Sequence, residues 1–382
     1  MRFLHTADWH LGRQFHNVSL IEDQAHALDQ LVAVVNDGGI DAVLVAGDVF
    51  DRAVPPPEAV NLLDDVLGRI VLGAGVPVFM IAGNHDSPAR LSFGAPMLAG
   101  QGLHVSGRID LPVAPVTLED RYGPVDIFSL PYVEPAVARL VLDAPELQGH
   151  DAALRALIAT LTAQRTEGRR AVLMAHCFVA GSGESESERP LSVGGAGSVG
   201  ADAFAGFDYV ALGHLHGPQR AGSERVRYSG SLLKYSFSEA HHSKGFNVVE
   251  LDRSGATRCE QIAIRPRRDV RIVEGSMASL MQEPAGSRDD YLLVRLSDSG
   301  AILDAMGRLR EVYPNLLHLE RPGLERGGTL RQGGRERLRR SERELFASFF
   351  EQMTGEALLP SQQAALDSVL ADLDEAAREA KQ

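Results

Sequence analysis

Short apolar runs alternate with helix-like segments from the N-terminus to about residue 264. Runs such as 41–46 and 76–82 are almost continuously apolar, which is typical of strands that are buried on both faces. Between them, apolar residues recur at helical spacing, as in 20–35, and a capping box of Ser19 and Glu22 predicts that this helix begins at Ser19. The pattern therefore predicts an α/β fold, in which helices cover a layered β-sandwich.

The alternation restarts after residue 265 on a smaller scale. Three strand-like runs enclose two short helical segments, which predicts a small α+β capping domain. A segment rich in glycine and arginine follows, and the last part is helical, with a break at Pro360. The predicted regions are the main domain 1–265, the capping domain 266–321, a linker 322–340 and C-terminal helices 341–382.

Polar clusters follow the predicted strands of the main domain, each where a strand ends. In open α/β sheets, sites form at the carboxyl ends of the strands, so we expect these clusters to converge on one cleft. The clusters are Asp8-Trp9-His10, Gly47-Asp48-Val49-Phe50-Asp51, Gly83-Asn84-His85-Asp86, the single His176, and Gly213-His214-Leu215-His216.

The types and spacing of these side chains favour metal binding. Asp8 and His10 are two residues apart, so in an extended segment they would point the same way and could bind one cation together. His214 and His216 could each reach one member of an adjacent pair of cations, and the two carboxylate oxygens of Asp48 could bridge metals about 3.5–4 Å apart. Imidazole and carboxylate donors without thiolate suit Mn²⁺, Fe²⁺ or Zn²⁺ better than Mg²⁺ or Ca²⁺.

Composition narrows the possible functions. The chain has 38 Lys and Arg against 51 Asp and Glu, a net charge of −13, which argues against binding nucleic acid by bulk electrostatics alone. Cys177 and Cys259 form neither a disulfide framework nor a Cys-x-x-Cys zinc pair, and we expect Cys177 to lie in the core. No run approaches the roughly 20 apolar residues of a membrane span, and the N-terminus becomes polar too early for a signal peptide. We therefore expect a cytoplasmic protein that does not bind membranes.

Each cluster alone also has an ordinary structural interpretation. A single histidine at a strand end is usually hydrogen-bonded, and Asn or Asp after glycine usually forms a turn by bonding its own backbone. Five such clusters, all after strands and in a fixed order, favour a shared two-metal site instead. Gly195-x-Gly197-x-x-Gly200 formally matches a dinucleotide-binding fingerprint, but it follows a polar run rather than a strand. We expect a flexible loop here that borders the cleft.

The order of the clusters, Asp-x-His, Gly-Asp-x-x-Asp, Gly-Asn-His-Asp, His and Gly-His-x-His, resembles that of the calcineurin-like metallophosphoesterases. The opening 1–12 and the segment 211–216 are similar to those of the nuclease subunits of bacterial SbcCD complexes. The resemblance implies two divalent metal ions, with Mn²⁺ favoured. It implies one metal held by Asp8, His10, Asp48 and His216, and a second held by Asp48, Asn84, His176 and His214.

The resemblance also implies roles for the remaining cluster residues. His85 would be the acid that protonates the leaving 3′ oxygen. Some members of the family carry a histidine at the position of Asp51, so we expect Asp51 to orient a ligand histidine from behind instead of acting directly. Asp86 has the same interpretation.

The implied function is that of a metal-dependent DNA nuclease subunit, a double-strand exonuclease and a single-strand or hairpin endonuclease in DNA break and hairpin processing. Its partner would be the SMC-like ATPase subunit SbcC, in a heterotetramer that contains this chain as a homodimer. The apolar stripe of Leu345, Phe346, Phe349 and Phe350 could then dock on SbcC, or it could pack on its own domain. The arginine-rich run 331–343 could contact DNA phosphates or lie in solvent.

Two other functions fit the same clusters. A stand-alone phosphoprotein or cyclic-nucleotide phosphoesterase would use the same metal core, but it has no need for the extension 265–382. A degenerate scaffold would have kept the fold and lost catalysis. The complete set of candidate ligands together with His85 argues against that interpretation.

Overall fold

The computed structural model describes residues 1–189, 191, 197–282, 286–298, 300, 302–322, 342–354 and 356–379. The chain divides into two compact units, Met1–Asp269 and Val270–Gln382. The predicted linker lies almost wholly outside the described residues, as do the arginines of the 331–343 run before residue 342. The domain boundaries at 265, 321 and 340 therefore stay predictions.

Apolar runs such as 41–46 and 76–82 form strands as predicted, with bounds that differ by a few residues, and the structure adds strands that the sequence did not predict. The strands are β1 (Arg2–Thr6), β2 (Gln14–Phe15), β3 (Val18–Ser19), β4 (Ala42–Val45), β5 (Val78–Ile81), β6 (Leu103–Ser106), β7 (Val116–Asp120), β8 (Gly123–Leu130), β9 (Arg170–His176), β10 (Phe178–Val179), β11 (Ser198–Val199), β12 (Tyr209–Gly213), β13 (Gln219–Ala221), β14 (Ser223–Tyr228), β15 (Gly245–Leu251), β16 (Thr257–Ala263), β17 (Val270–Gly275), β18 (Tyr291–Leu296) and β19 (Leu316–Glu320).

Helices fill most of the connections between these strands. The α-helices are α1 (Ile21–Asn36), α2 (Pro57–Leu67), α3 (Pro88–Leu91), α4 (Ala95–Ala99), α5 (Pro135–Leu142), α6 (Gly149–Ala163), α7 (Met277–Gln282), α8 (Ala305–Arg310), α9 (Glu342–Thr354) and α10 (Pro360–Glu379). A π-helical segment, Gly68–Ala74, continues α2, and short 3-10 turns lie at Ala201–Phe204 and Phe237–Glu239.

Two six-stranded sheets form the larger unit, in the orders β16-β15-β1-β4-β5-β6 and β13-β14-β12-β9-β8-β7. In the first sheet β1, β4, β5 and β6 are parallel, and β15 and β16 at one side are antiparallel to their neighbours. In the second sheet the four central strands are parallel, and the edge strands β13 and β7 are antiparallel to their neighbours. Buried apolar side chains of both sheets, such as Phe3, Phe79 and Met174, share one core. The predicted layered sandwich is confirmed.

Helices cover the outer face of the second sheet. Strand residues such as Phe128 and Leu173 pack there with Leu157 and Leu161 of α6. Cys177 belongs to this core and is 5% exposed, as expected from the sequence. On the first sheet, the residues that alternate with the inner ones are also buried, and α1 buries its own apolar stripe.

The predicted capping box of α1 is wrong. The N-cap residue is Leu20, and no side chain caps this helix end. Ser19 instead lies in β3, where it pairs with Gln14 of β2. Leu20 is buried and its N–H donates to the carbonyl of Arg13 at 3.1 Å, so tertiary packing sets the start of the helix instead of the local cap. At the other end Gly38 and Gly39 follow the helix with positive φ, which is common where a helix ends.

The second unit contains a three-stranded sheet in the order β17-β18-β19, and all three strands are parallel. The helices α7 and α8 connect successive strands, and Leu280 and Leu309 pack with strand residues such as Val294 in one core. The mixed helix and strand content expected here is confirmed, and the structure adds the parallel order.

Two helices, α9 and α10, make up the described part of the C-terminal region. They contact each other, and the guanidinium group of Arg343 donates to the carboxylate of Asp367 at 2.5 Å. Within the described residues, no helix combines the length and the apolar composition that crossing a membrane requires.

Candidate metal centre

The five polar clusters lie together at one edge of the sandwich. Asp8 and His10 follow β1, Asp48 follows β4, and Asn84 follows β5, all in the first sheet. The second sheet contributes His176 at the end of β9, and His214 and His216 after β12. The six Asp and His side chains of this set are at most 3% exposed. We refer to these six residues together with Asn84 as the candidate ligands.

The backbone at four of the candidate ligands is in the left-handed region. The φ angles are +52° at Asp8, +46° at His10, +49° at Asp48 and +110° at His214. Such conformations cost on the order of 1–3 kcal/mol each and concentrate at functional sites. The extended geometry expected for Asp8-x-His10 is therefore wrong. The two side chains meet because the chain turns after β1, where the N–H groups of Asp8 and His10 donate to the carbonyls of Gly47 and Asp48.

Two glycines leave the space that these side chains occupy. An added Cβ on Gly47, which has a φ of +94°, would lie 2.3 Å from Nδ1 of His176. A Cβ on Gly83 would lie 2.1 Å from Oδ1 of Asp48. The glycines that precede Asp48 and Asn84 are therefore required by packing against the candidate ligands themselves.

The first group of donor atoms comes from Asp8, His10, His216 and Asp48. One ligand atom from each of Asp8, His10 and His216 lies within 4.8 Å of the others. The Nε2 atoms of His10 and His216 are 3.1 Å apart, and Oδ2 of Asp48 is 3.7 Å from Nε2 of His10. This is the set that the family resemblance implies for one metal.

The second group comes from Asp48, Asn84, His176 and His214. Oδ1 of Asn84 lies 2.9 Å from Nε2 of His176 and 3.1 Å from Nδ1 of His214. Nε2 of His176 is 3.5 Å from Oδ2 of Asp48, the oxygen that also faces His10. Asp48 thus lies between the two groups, as a bridging carboxylate would.

Burial dominates the electrostatics of these side chains. It lowers the pKa of His10, His176 and His214, and it lowers that of His216 to about 3, so the rings are neutral and carry a nitrogen lone pair. Burial and the neighbouring carboxylate of Asp48 raise the pKa of Asp8. Burial would also raise the pKa of Asp48, but the histidines around it hold that pKa below its usual value.

These donors fit divalent metal ions. Neutral imidazoles and carboxylates are the forms in which these groups bind metals, and buried acids that face each other are unfavourable without a cation between them. Nδ1 of His176 lies 2.9 Å from the carbonyl oxygen of Ala46, which fixes the proton on Nδ1. The lone pair of Nε2 is therefore left to face the second group of donor atoms.

His85 lies beside the two groups but at the solvent side. Its N–H donates to Oδ1 of Asp48 at 2.8 Å, and its Nδ1 lies 2.9 Å from the carbonyl oxygen of Asp51. The ring contacts that of His10 edge to face, with centroids 4.7 Å apart. His85 lines an open cleft of about 530 Å³ together with Asn84 and Asp51.

Asp51 and Asp86 lie behind the candidate ligands in different ways. Oδ1 of Asp51 is 3.5 Å from Nδ1 of His10, but within the described residues this nitrogen has no hydrogen-bond partner, so the orienting role of Asp51 stays a prediction. Asp86 accepts instead from the backbone N–H groups of Val49, Phe50 and Gly83, so it ties the loops after β4 and β5 together and contacts no ligand ring. Burial and the charge of Asp48 raise the pKa of Asp86 to about 7.

Several residues of this region are absent from the sequence-based set. Arg13, Arg52 and Arg189 line the cleft beside His85 and give it positive charge within an acidic chain. In the polar run before Gly195-x-Gly197-x-x-Gly200, Glu188 accepts the N–H of His216 at 2.7 Å, so that run borders the site. Gly195 lies outside the described residues, and Ser198–Val199 forms β11 instead of the expected loop. Gln24, Ser187, Tyr235, Glu239 and Lys244 contact the candidate ligands or the loops that carry them. Ser187, Glu188 and Arg189 lie in the polar run 181–189, which precedes these glycines in the sequence. No sequence pattern pointed to the other residues of this group.

Comparison with known proteins identifies the family. Residues 1–218 match the model of the calcineurin-like phosphoesterases, and residues 266–354 match a model described as the type 5 capsule protein repressor C-terminal domain. A dimetal phosphatase structure from Danio rerio covers 70% of this chain and 99% of its own, with 14% identity and a TM-score of 0.41. The D subunit of the SbcCD nuclease from Staphylococcus saprophyticus is 32% identical over 375 residues, or 98% of each chain. By the match over 1–218 and the identity to this relative along nearly its whole length, the chain belongs to the calcineurin-like phosphoesterase family.

Proposed function

We propose that this chain is a metal-dependent DNA nuclease subunit that hydrolyses phosphodiester bonds with two divalent cations, preferably Mn²⁺. The observation that carries the proposal is the convergence of two donor groups on the shared carboxylate of Asp48, beside His85 and an arginine-lined cleft. The full-length similarity to the D subunit of an SbcCD nuclease favours DNA as the substrate over other phosphoesters.

In this proposal Asp8, His10, Asp48 and His216 hold one cation, and Asp48, Asn84, His176 and His214 hold the other. When bound, the pair lowers the pKa of water toward neutrality and stabilises negative charge around phosphorus. The nitrogen and oxygen donors without sulfur are compatible with Mn²⁺, which is the basis for naming that ion.

The proposed role of His85 is to give a proton to the departing 3′ oxygen. Its Nδ1–H donates to the carbonyl of Asp51, which orients the ring and leaves Nε2 as the nitrogen available to the cleft. The hydrogen bond from the backbone N–H of His85 to the carboxylate of Asp48 fixes the main chain beside this shared carboxylate.

The arginines of the cleft supply the contacts to the nucleic acid backbone in this proposal. Arg13 donates to Asp51 at 3.2 Å and to the carbonyl of Ser187 at 3.3 Å, so its guanidinium group is held in place. Arg52 and Arg189 line the same cleft. Local positive charge of this kind lets a chain with a net charge of −13 bind phosphates at one place.

The substitution His85→Ala tests the catalytic assignment. We expect unchanged metal content and cleavage slowed by about 10²–10⁴-fold, because general acid catalysis is lost while all seven candidate ligands remain. Cleavage of end-labelled linear and hairpin duplexes with Mn²⁺, with and without ATP and SbcC, gives the rates. The matched control is His26→Ala, an exposed histidine on α1.

Cleavage at the parent rate by the His85→Ala variant would contradict the assignment. Hydrolysis of phosphoproteins or cyclic nucleotides by the parent, without cleavage of any DNA, would favour the alternative of a stand-alone phosphoesterase. The same duplex substrates separate exonuclease from hairpin endonuclease activity.

The partner in this proposal is the SMC-like ATPase SbcC, bound in a heterotetramer with two copies of this chain. On α9, Leu345 is 37% exposed, Phe346 45% and Phe349 58%, while Phe350 is partly buried. An exposed apolar stripe of this kind suits docking into a groove better than packing on its own domain.

A pull-down with the double variant Phe346→Asp and Phe349→Asp tests the docking surface. We expect loss of SbcC binding, because two charges would be buried without partners in the groove. Leu303→Asp is the matched control, since Leu303 is 91% exposed and lies outside α9. SbcC retained by the double variant as well as by the control would refute the assignment of this surface.

A further inference from the structure

A buried hydrogen-bonded network lies behind the candidate ligand His216, on the side of the ring away from the donor group. Oγ of Ser187 is 2.5 Å from Nδ1 of His216, and the hydroxyl group of Ser187 also contacts the carboxylate of Glu239. Ser187 is 9% exposed and Glu239 is fully buried. The two residues lie 29 and 23 positions from His216, on opposite sides of it along the chain.

Lys244 completes the network. Its ammonium group donates to Glu239 at 2.5 Å, to Oγ of Ser231 at 2.9 Å and to the carbonyl oxygen of His216 itself at 2.7 Å. Lys244 therefore contacts both the main chain of His216 and the carboxylate behind its ring.

A buried ion pair of this kind is poorly explained by stability alone. Taking two charges out of water costs several kcal/mol per ion, and apolar residues of similar volume often serve a core equally well. The pair of Glu239 and Lys244 is therefore better explained by what it holds in place. The N–H of His216 is fixed as well, since it donates to Glu188 at 2.7 Å.

The direction of the hydrogen bonds follows from the chemistry of the groups. A carboxylate that is paired with an ammonium group can only accept, so the hydroxyl of Ser187 donates to Glu239. The lone pairs of Ser187 Oγ are then left to accept from Nδ1–H of His216. With the proton fixed on Nδ1, the lone pair of Nε2 faces the donor group, 3.1 Å from Nε2 of His10.

We infer that Ser187, Glu239 and Lys244 are positioning residues that select the tautomer and orientation of His216 for metal binding. The inference rests on the proposed function, because it takes His216 as a metal ligand. His176 obtains the same tautomer from a backbone carbonyl, that of Ala46. At His216 side chains do this, so the effect can be removed by mutation without altering a ligand.

The test compares Ser187→Ala, Ser187→Thr and Glu239→Gln with the parent protein. Titration of the metal-free proteins with Mn²⁺ gives the affinities, and ¹⁵N NMR of labelled histidines in the metal-free proteins gives the tautomer of His216. We expect Ser187→Ala and Glu239→Gln to lose about 10–100-fold in affinity at one of two sites and to mix the tautomers. Ser187→Thr keeps the hydroxyl group and should keep both properties.

Asp120→Asn is the matched control, because it breaks the ion pair with Arg170 at the opposite end of β9 and should leave both readouts unchanged. If Glu239→Gln does not fold, Ser187→Ala decides alone, since it removes one hydroxyl group from a loop. A Ser187→Ala variant with the parent's affinity and a single tautomer overturns the positioning inference only. A parent protein that binds no Mn²⁺ overturns the proposed function, and the positioning inference with it.

Discussion

The two ends of the strands β1 and β9 carry polar clusters that differ in their balance of charge. At the amino ends, the guanidinium group of Arg170 forms a bidentate pair with Asp120, at 2.6 and 2.9 Å, and the α-amino group of Met1 donates to the same carboxylate at 2.5 Å. At the carboxyl ends, the carboxylates of Asp8 and Asp48 are buried together among neutral histidines.

The difference shows which end needs a ligand. The negative charge of Asp120 is balanced by Arg170 and by the α-amino group of Met1. The hydrogen bonds from Arg170 hold the pKa of Asp120 below its usual range. The carboxyl-end cluster has two acids and no fixed cation among its donor atoms in the described residues, and the pKa of Asp8 is raised. One end of the sandwich is stabilised by its own charges, while the other is built to be stabilised by bound cations.

The largest effect should follow from Asp8→Asn, which removes one of the two like charges. We expect DNA cleavage to fall by about 10³-fold, because a metal ligand and its charge are lost. The metal-free protein should become more stable, since the raised pKa of Asp8 reports an unfavourable buried charge. Asparagine also tolerates the left-handed backbone at this position.

Urea unfolding in EDTA and with Mn²⁺ measures both sides of this prediction. The parent should be stabilised by added Mn²⁺, since a ligand that binds only the folded state shifts the equilibrium toward it. The Asp8→Asn variant should gain much less. A metal-free variant that is less stable than the metal-free parent would contradict the view that the buried carboxylates of Asp8 and Asp48 destabilise the metal-free fold.

A second effect should come from Gly47→Ala, compared with Gly38→Ala as a matched control. Both glycines have φ near +90°, but an added Cβ at Gly38 meets nothing within 4 Å, whereas at Gly47 it meets the ring of His176. Backbone strain should cost Gly38→Ala about 1–2 kcal/mol in free energy of unfolding. Gly47→Ala should cost about 2–4 kcal/mol, because overpacking adds to that strain.

Metal binding separates the two glycine variants further. The ring of His176 must move to admit the Cβ at position 47, so we expect Gly47→Ala to bind Mn²⁺ more weakly and Gly38→Ala to bind it as the parent does. Calorimetric titration gives both affinities. Equal affinities in the two variants would mean that the close packing of Gly47 on His176 has no part in shaping the site.

The candidate ligands could be predicted from the sequence because each follows an apolar strand, and the strand pattern is local. Hydrogen bonds between distant loops leave no such pattern. Ser187 and Glu239 are 52 residues apart, and no periodicity relates them to His216. The arginines of the cleft likewise come from three separate segments. The capping box failed for a different reason, since Ser19 satisfies the local capping rule but pairs with Gln14 in a short β-hairpin instead.

The smallest effect concerns the cluster of Asp120 and Arg170 at the amino ends of the strands. It should change only the free energy of unfolding. Asp120→Asn should lower the free energy of unfolding by about 1–2 kcal/mol, because Arg170 loses a bidentate partner at a site that remains partly open to solvent. Cleavage of DNA and affinity for Mn²⁺ should stay at the parent values. Asp202→Asn, which breaks an exposed pair with Arg155, is the control and should cost less.

The pH dependence of this effect has a definite sign. The hydrogen bonds from Arg170, followed by those from the α-amino group and Tyr122, lower the pKa of Asp120 in the folded protein, so its charged form stabilises the fold. That stabilisation is fully present above the unfolded pKa of about 3.9 and is lost as the pH falls through the lower folded value. The stability difference between the parent and Asp120→Asn should therefore be constant from about pH 5 to 7 and shrink below about pH 4. Urea unfolding of the metal-free proteins at each pH measures it. A difference that grows as the pH falls would mean that Asp120 is held as the neutral acid, and the contrast between the two ends of the strands would be lost.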